Sequence, residues 1–100
     1  MPEHRPITVA VIFEARPGKE AELKHTLLAL ILPTRKELGC INYDMHVCPQ
    51  NPAKFFFYEN WSNKKSYFAH HKSRHVMASE PWVAQLCASA PEVNFWEKIS

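Results

Sequence analysis

The run Phe55-Phe56-Phe57-Tyr58 constrains this chain more than any other stretch. In an extended strand, successive side chains point to opposite faces, so consecutive aromatic residues load both sides of a sheet with apolar rings. Such a strand has to be covered on both faces. The chain then runs through Glu59-Asn60-Trp61 to Ser62 and Asn63, either of which can cap a helix by accepting a bond from an orphan amide. That helix is read as carrying Tyr67, Phe68, His70, His71 and, near its end, His75. The stretch Lys54 to Val76 thus joins a buried strand to a histidine-rich helix, and any chemistry belongs there first.

The remaining elements follow from periodicity. Ile7 to Ala15 alternates as a strand, with Ile7, Val9, Val11 and Phe13 on one face, and Arg16-Pro17-Gly18 turns the chain. From Lys19 the spacing becomes helical: Leu23, Leu27, Leu30, Ile31 and Leu38 lie near one stripe, and Gly39 suits the end. Pro33 inside this helix predicts a kink near Ala29 to Pro33. Ile41 to Cys48 is a second strand, with Ile41, Tyr43, Met45 and Val47 on one face, and Pro49-Gln50-Asn51-Pro52 implies a hairpin into the aromatic strand. A further helix over 76–90 is capped by Ser79, with Pro81 in its first turn, and Glu92 to Ile99 is the last strand.

This order, β-α-β-β-α-α-β, predicts an α+β fold. It is a four-stranded antiparallel sheet with ferredoxin-like connectivity and its helices on one face. The chain has no residues left for a second layer, yet the aromatic strand is apolar on both sides and Trp96 opposes Phe95 on the last strand. A second copy of the chain packed on the bare face resolves this, which predicts a homodimer.

At 100 residues the chain has the length of a single domain. A formal charge of +2 gives no case for a nucleic-acid partner, and Lys64, Lys65, Lys72 and Arg74 read as a solvated helix face. The cysteines Cys40, Cys48 and Cys87 are odd in number and lack close spacing, which argues against a disulfide framework and for a reducing compartment. The start Met-Pro-Glu-His-Arg-Pro lacks the apolar run of a signal peptide, and the aliphatic run Leu27 to Leu32 is too short to span a bilayer. The expectation is a cytoplasmic protein without a membrane partner.

Gly39-Cys40-Ile41-Asn42-Tyr43, then Phe57-Tyr58-Glu59-Asn60-Trp61, then Ala69-His70 and Ser73-Arg74-His75 resemble the antibiotic biosynthesis monooxygenase family. Its usual pattern is Gly-Cys-x-x-Tyr, Glu-x-Trp and Ala-His-x-x-(Ser/Thr)-x-His. The resemblance covers roughly Ile7 to Ile99 and implies a dimeric α+β barrel. It also implies several activities: cofactor-independent oxidation of quinols and polycyclic phenols, isomerisation of a small phosphorylated sugar-like signal, or haem degradation. Fold does not choose among these. The haem-degrading members carry an asparagine where this chain has Val11 and a tryptophan where it has His70, which argues against a haem enzyme.

The quinol reading implies a cofactor-free monooxygenase whose partners are a small hydroxylated aromatic or quinol and dioxygen. Deprotonation turns such a diol into an anion able to reduce oxygen, so the protein needs a dry pocket, a base and groups that hold the anion. His70 is the candidate base, with His75 and Asn60 as catalytic companions. Tyr43, Phe57, Trp61, Tyr67 and Phe68, with Phe55, are the candidate substrate-binding residues. Glu59 reads instead as structural, accepting bonds from amides of the following helix. His71 is expected to point outward, and no metal site is expected, since no carboxylate or cysteine stands near the His71/His75 pair in sequence. An isomerase or other proton-transfer catalyst acting on a small carbonyl or phosphorylated compound would use the same histidine without oxygen, and a non-catalytic dimeric ligand-binding or stress-response protein could share the fold. A basic mouth formed by Lys64, Lys65, Lys72 and Arg74 would favour a phosphorylated or carboxylated ligand, an apolar one an aromatic diol.

Overall fold

A computed structural model describes residues 4–100, so Met1 to Glu3 of the amino-terminal stretch read above lie outside it. The chain order is β1 (Ile7–Glu14), α1 (Glu20–Leu28), α2 (Ile31–Arg35), β2 (Cys40–Cys48), β3 (Asn51–Trp61), α3 (Lys64–His70), α4 (Arg74–Leu86) and β4 (Glu92–Trp96). The four strands form one open antiparallel sheet in the order β2-β3-β1-β4, the ferredoxin-like arrangement.

Register builds the inner face row by row. Phe95, Val9, Glu59 and Tyr43 lie side by side across the sheet, and Val93, Val11, Phe57 and Met45 form the next row. Above these rows sit Leu23 and Leu27 of α1, Tyr67 and His70 of α3, and Val76, Val83 and Leu86 of α4, all buried. Thr8, Ala10, Ile12, Phe56, Tyr58 and Asn60 alternate onto the opposite face, where none of them is buried.

Four local details differ from the sequence reading. The predicted kink is a full break at Ala29–Leu30 that splits the helix in two, with Pro33 at the third position of α2, where its missing N–H costs little. A bulge at Ile41 shifts the β2 register, so Cys40 packs against the core and Ile41 is exposed. α4 begins after Ser73, not at Ser79, which leaves Pro81 inside the helix. Val76, Val83 and Leu86 share its buried face, and this packing overrides the start signal that Ser79 and Pro81 present. His75 therefore belongs to the first turn of α4 and not to the end of α3. The last strand stops at Trp96, and Ile99 is 96% exposed.

Candidate functional site

Three junctions bring the site together. Arg35 Nε donates to Tyr43 O at 3.2 Å and its Nη2 pairs with Asp44 at 3.0 Å, fastening the end of α2 over β2. Gly39, at φ +84°, turns the chain back so that its carbonyl accepts from Ser62 N at 2.7 Å and it lies against Ser66 of α3. Asn63 caps α3 by accepting from Ser66 N at 2.8 Å. The loop that carries Glu37 is thereby pressed against the helix that carries His70.

Glu37 is the hub. Its Oε2 lies 2.7 Å from His70 Nδ1 and 2.7 Å from His75 Nε2. A carboxylate oxygen only accepts, so both ring nitrogens carry the protons that point at it. Thr34 Oγ1 and Ser73 Oγ stand 3.1 Å and 3.3 Å from the same nitrogen of His75, and Ser73 Oγ also donates to His70 O at 2.6 Å. With Nδ1 occupied, His70 Nε2 has no hydrogen-bond partner. Among the described residues no fully buried side-chain nitrogen or oxygen is unpartnered, so Nε2 must reach open space.

A cavity of about 310 Å³ lies between the inner sheet face and the helices, and His70 borders it. Its walls are mostly aliphatic, with Val11, Leu27, Leu30, Val76, Val83 and Val93 among them. Polar groups enter from Tyr43, Glu59, Tyr67, His71, Ser79 and Glu80. Burial lowers the pKa of His70, with Glu37 opposing, and likewise lowers that of His71. Burial pushes the Glu59 carboxyl up to about 7, against the bond donated by Trp61. Burial also raises the two phenols, Tyr67 to about 12 and Tyr43 further.

The predicted residues separate into groups. His70, Tyr43 and Tyr67 border the cavity, while His75 stands behind His70 on Glu37. Phe57 supports Tyr43 from below, stacked at 4.6 Å between ring centroids, and Trp61 lies against His70 at 4.9 Å. Phe55 is packed in the core. Phe68 is half exposed beside Lys64, in a separate concavity with His4, Asn63 and Lys65. Asn60 is on the other face of the sheet, where it accepts from Thr8 Oγ1 and donates to Asn42 Oδ1 at 2.8 Å. His71 is exposed, as expected, but α3 ends at His70 and the His71 ring also borders the cavity, 4.7 Å from the Tyr67 ring. Glu59 takes no helix amide; its Oε1 accepts Trp61 Nε1 at 2.8 Å.

Glu37 and Thr34 escaped sequence reasoning, since both sit among helix-ending residues with no motif around them. The donor atoms of Glu37, His70 and His75 fall within 4.8 Å of one another, close enough to suggest a cation site. The two 2.7 Å separations are hydrogen-bond lengths, however, and two ligands on a tetrahedral zinc stand about 3.3 Å apart. The cluster as built is a hydrogen-bonded network.

Comparison with known proteins agrees with this architecture. “Putative monooxygenase Rv0793” of Mycobacterium tuberculosis is 28% identical over 81 residues, which is 81% of this chain and 79% of that protein. The solved structure of Rv0793 superposes with a TM-score of 0.90 at 25% identity, covering 95% of this chain and 96% of that one. PA3566 from Pseudomonas aeruginosa shares the fold over 100% of both chains, with a TM-score of 0.91 at 23% identity. “Uncharacterized protein sll1783” of Synechocystis is 26% identical over 92 residues, 92% of this chain, and the chain spans 63% of its length. Residues 6–80 match the family described as “Antibiotic biosynthesis monooxygenase”, and the chain belongs to that family.

Proposed function

We propose that the protein is a cofactor-independent monooxygenase acting on a small, uncharged hydroxylated aromatic or quinol, with His70 as the base. The observation that carries this reading is the cavity's composition. No lysine or arginine borders it among the described residues, and its acidic side chains are Glu59 and Glu80. Such walls offer no fixed cation to a phosphorylated or carboxylated compound, so they weigh against an isomerase working on a sugar-phosphate-like substrate. They suit a neutral ring whose hydroxyl groups meet His70 and Tyr43.

The chemistry follows from the Glu37–His70 pair. Glu37 fixes the Nδ1–H tautomer, which leaves the Nε2 lone pair free to take a phenolic proton. The imidazolium that results is stabilised by the carboxylate 2.7 Å away. The substrate anion supplies the electrons for oxygen, so the protein's part is to hold it, exclude water and move protons. Tyr43, resting on Phe57, presents a neutral phenol that can hold the anion's oxygen.

The reading includes a homodimer formed through the face that carries Ile12, Phe56 and Tyr58, one domain over the 100 residues, and a cytoplasmic location. The location is supported by three free cysteines. No helix among the described residues is long and apolar enough to cross a membrane. A ligand panel tests the substrate class: naphthalenediols should raise the melting temperature and phosphorylated sugars should not. The reverse order would overturn the assignment.

A further inference from the structure

Resting on the oxygenase reading, we propose that Glu59 is the general acid of the same cavity, delivering a proton to the oxygen that leaves when the substrate peroxide breaks. Three geometric observations carry it. Glu59 is 3% exposed yet borders the cavity. Its Oε1 is held by Trp61 Nε1 at 2.8 Å, which fixes the carboxyl's orientation. Its Oε2 has no hydrogen-bond partner, and since no fully buried oxygen among the described residues is unpartnered, this atom keeps some exposure in a residue that borders the cavity. Trp61 also lies against the His70 ring, so one indole positions the base on its face and the acid at its nitrogen.

The groups around Glu59 keep its proton in place. Tyr43 is its cross-strand neighbour, Cys40 and Glu37 approach from β2 and the loop before it, Tyr67 comes from α3, and His70 borders the same cavity. His71 and Glu80 stand at the cavity edge. None of these is a fixed cation, so burial first, and the negative charge of Glu37 after it, drive Glu59 toward its neutral form against the bond from Trp61.

The reaction then balances for a phenol carrying hydrogen at the carbon to be oxidised. His70 Nε2 takes the phenolic proton, the anion gives an electron pair to dioxygen, and a carbon–oxygen bond forms. The peroxide anion takes the proton back from the imidazolium. His70 next removes the hydrogen on that carbon as a proton; the C–H pair becomes the new carbonyl bond, and the O–O bond breaks. The departing hydroxide takes the Glu59 proton and leaves as water. The imidazolium then returns a proton to Glu59 through that water, so phenol and dioxygen have become quinone and water.

Glu59→Gln tests this, because the amide oxygen still accepts from Trp61 but carries no acidic proton. In a single turnover with a naphthol, oxygen should disappear at the wild-type rate while quinone formation slows roughly 100-fold and a peroxide accumulates. Quinone formation at the wild-type rate would overturn the proposal while leaving the oxygenase reading intact. No oxygen uptake by the wild type would overturn both. Should the variant fail to fold, the wild-type profile decides. Turnover must fall as pH rises through about 7, where Glu59 loses its proton, and a rate flat across that range would overturn the assignment.

Discussion

His70 Nδ1 and Glu37 Oε2 stand 2.7 Å apart although 33 positions separate them in the chain. The contact exists because Gly39 folds the loop after α2 onto the start of α3, and it leaves Nε2 as the His70 nitrogen without a partner. A histidine with Nδ1 protonated against a carboxylate is a base at Nε2.

Glu37→Gln removes the charge but keeps the shape. It should lower turnover by roughly tenfold to a hundredfold, since the tautomer is no longer fixed and the imidazolium loses its counter-charge. Glu37 raises the His70 pKa, so the acid limb of the rate profile should also move to lower pH. Steady-state rates measured across pH check both; an unmoved limb would detach Glu37 from the base.

Glu59 should leave a mark on stability. Its folded pKa, about 7, lies above the 4.5 of an ordinary carboxyl, so over this window the folded state holds the proton that the unfolded chain gives up. The stabilisation is full below 4.5 and is lost as pH rises toward 7, by an amount on the order of 3 kcal/mol. His70 acts oppositely, contributing stability above its ordinary 6.5 that is lost as pH falls. The difference in denaturant stability between the wild type and Glu59→Gln isolates the first effect, and should shift in Gln's favour from pH 4.5 to 7.

Gly39 and Gly18 both have positive φ, +84° and +82°. A Cβ on Gly39 would collide with the Ser66 side chain, whereas one on Gly18 meets open space. Gly39→Ala should therefore cost more than the roughly 1 kcal/mol of left-handed strain expected for Gly18→Ala. It should also lower turnover, because the collision pushes Glu37 away from His70. Equal melting temperatures for the two variants would contradict the role given to this turn.

The bare sheet face predicts a dimer of about twice the 11.6 kDa chain mass by light scattering. Tyr58, 43% exposed on that face, is the place to break it. Tyr58→Glu should give a monomer, and a wild-type monomer at micromolar concentration would remove the reason for the two-faced apolar strand.

The hydrogen-bond lengths within the Glu37–His70–His75 cluster predict that zinc and chelators leave turnover unchanged. One tightly bound zinc per chain, measured by metal analysis, would show that the cluster opens to receive a cation.

Much of the fold was legible because its signals are local. The alternation from Ile7, the aromatic run from Phe55 and the helical stripe through Leu23 and Leu27 each announce their element within a few residues. The family-like motifs singled out His70 and Tyr43, and the aromatic set Tyr67, and all three border the cavity. The errors fell where long-range packing outweighed local cues: Ser79 and Pro81 look like a helix start, but burial of Val76 extends α4 past them. Asn60 looked catalytic beside Trp61, yet strand alternation sends the two to opposite faces. Glu37 was illegible because its partners lie 33 and 38 positions away. Glu59 was read as structural because sequence alone does not show which carboxylate oxygen is left open.

Oxygen uptake by metal-free, flavin-free protein supplied with a naphthalenediol tests the central claim most directly. The wild type should consume oxygen at a rate that saturates with substrate, and His70→Ala, still folded and dimeric, should fall by roughly 100-fold or more. No saturable uptake across a panel of diols, or an undiminished rate in His70→Ala, would contradict it.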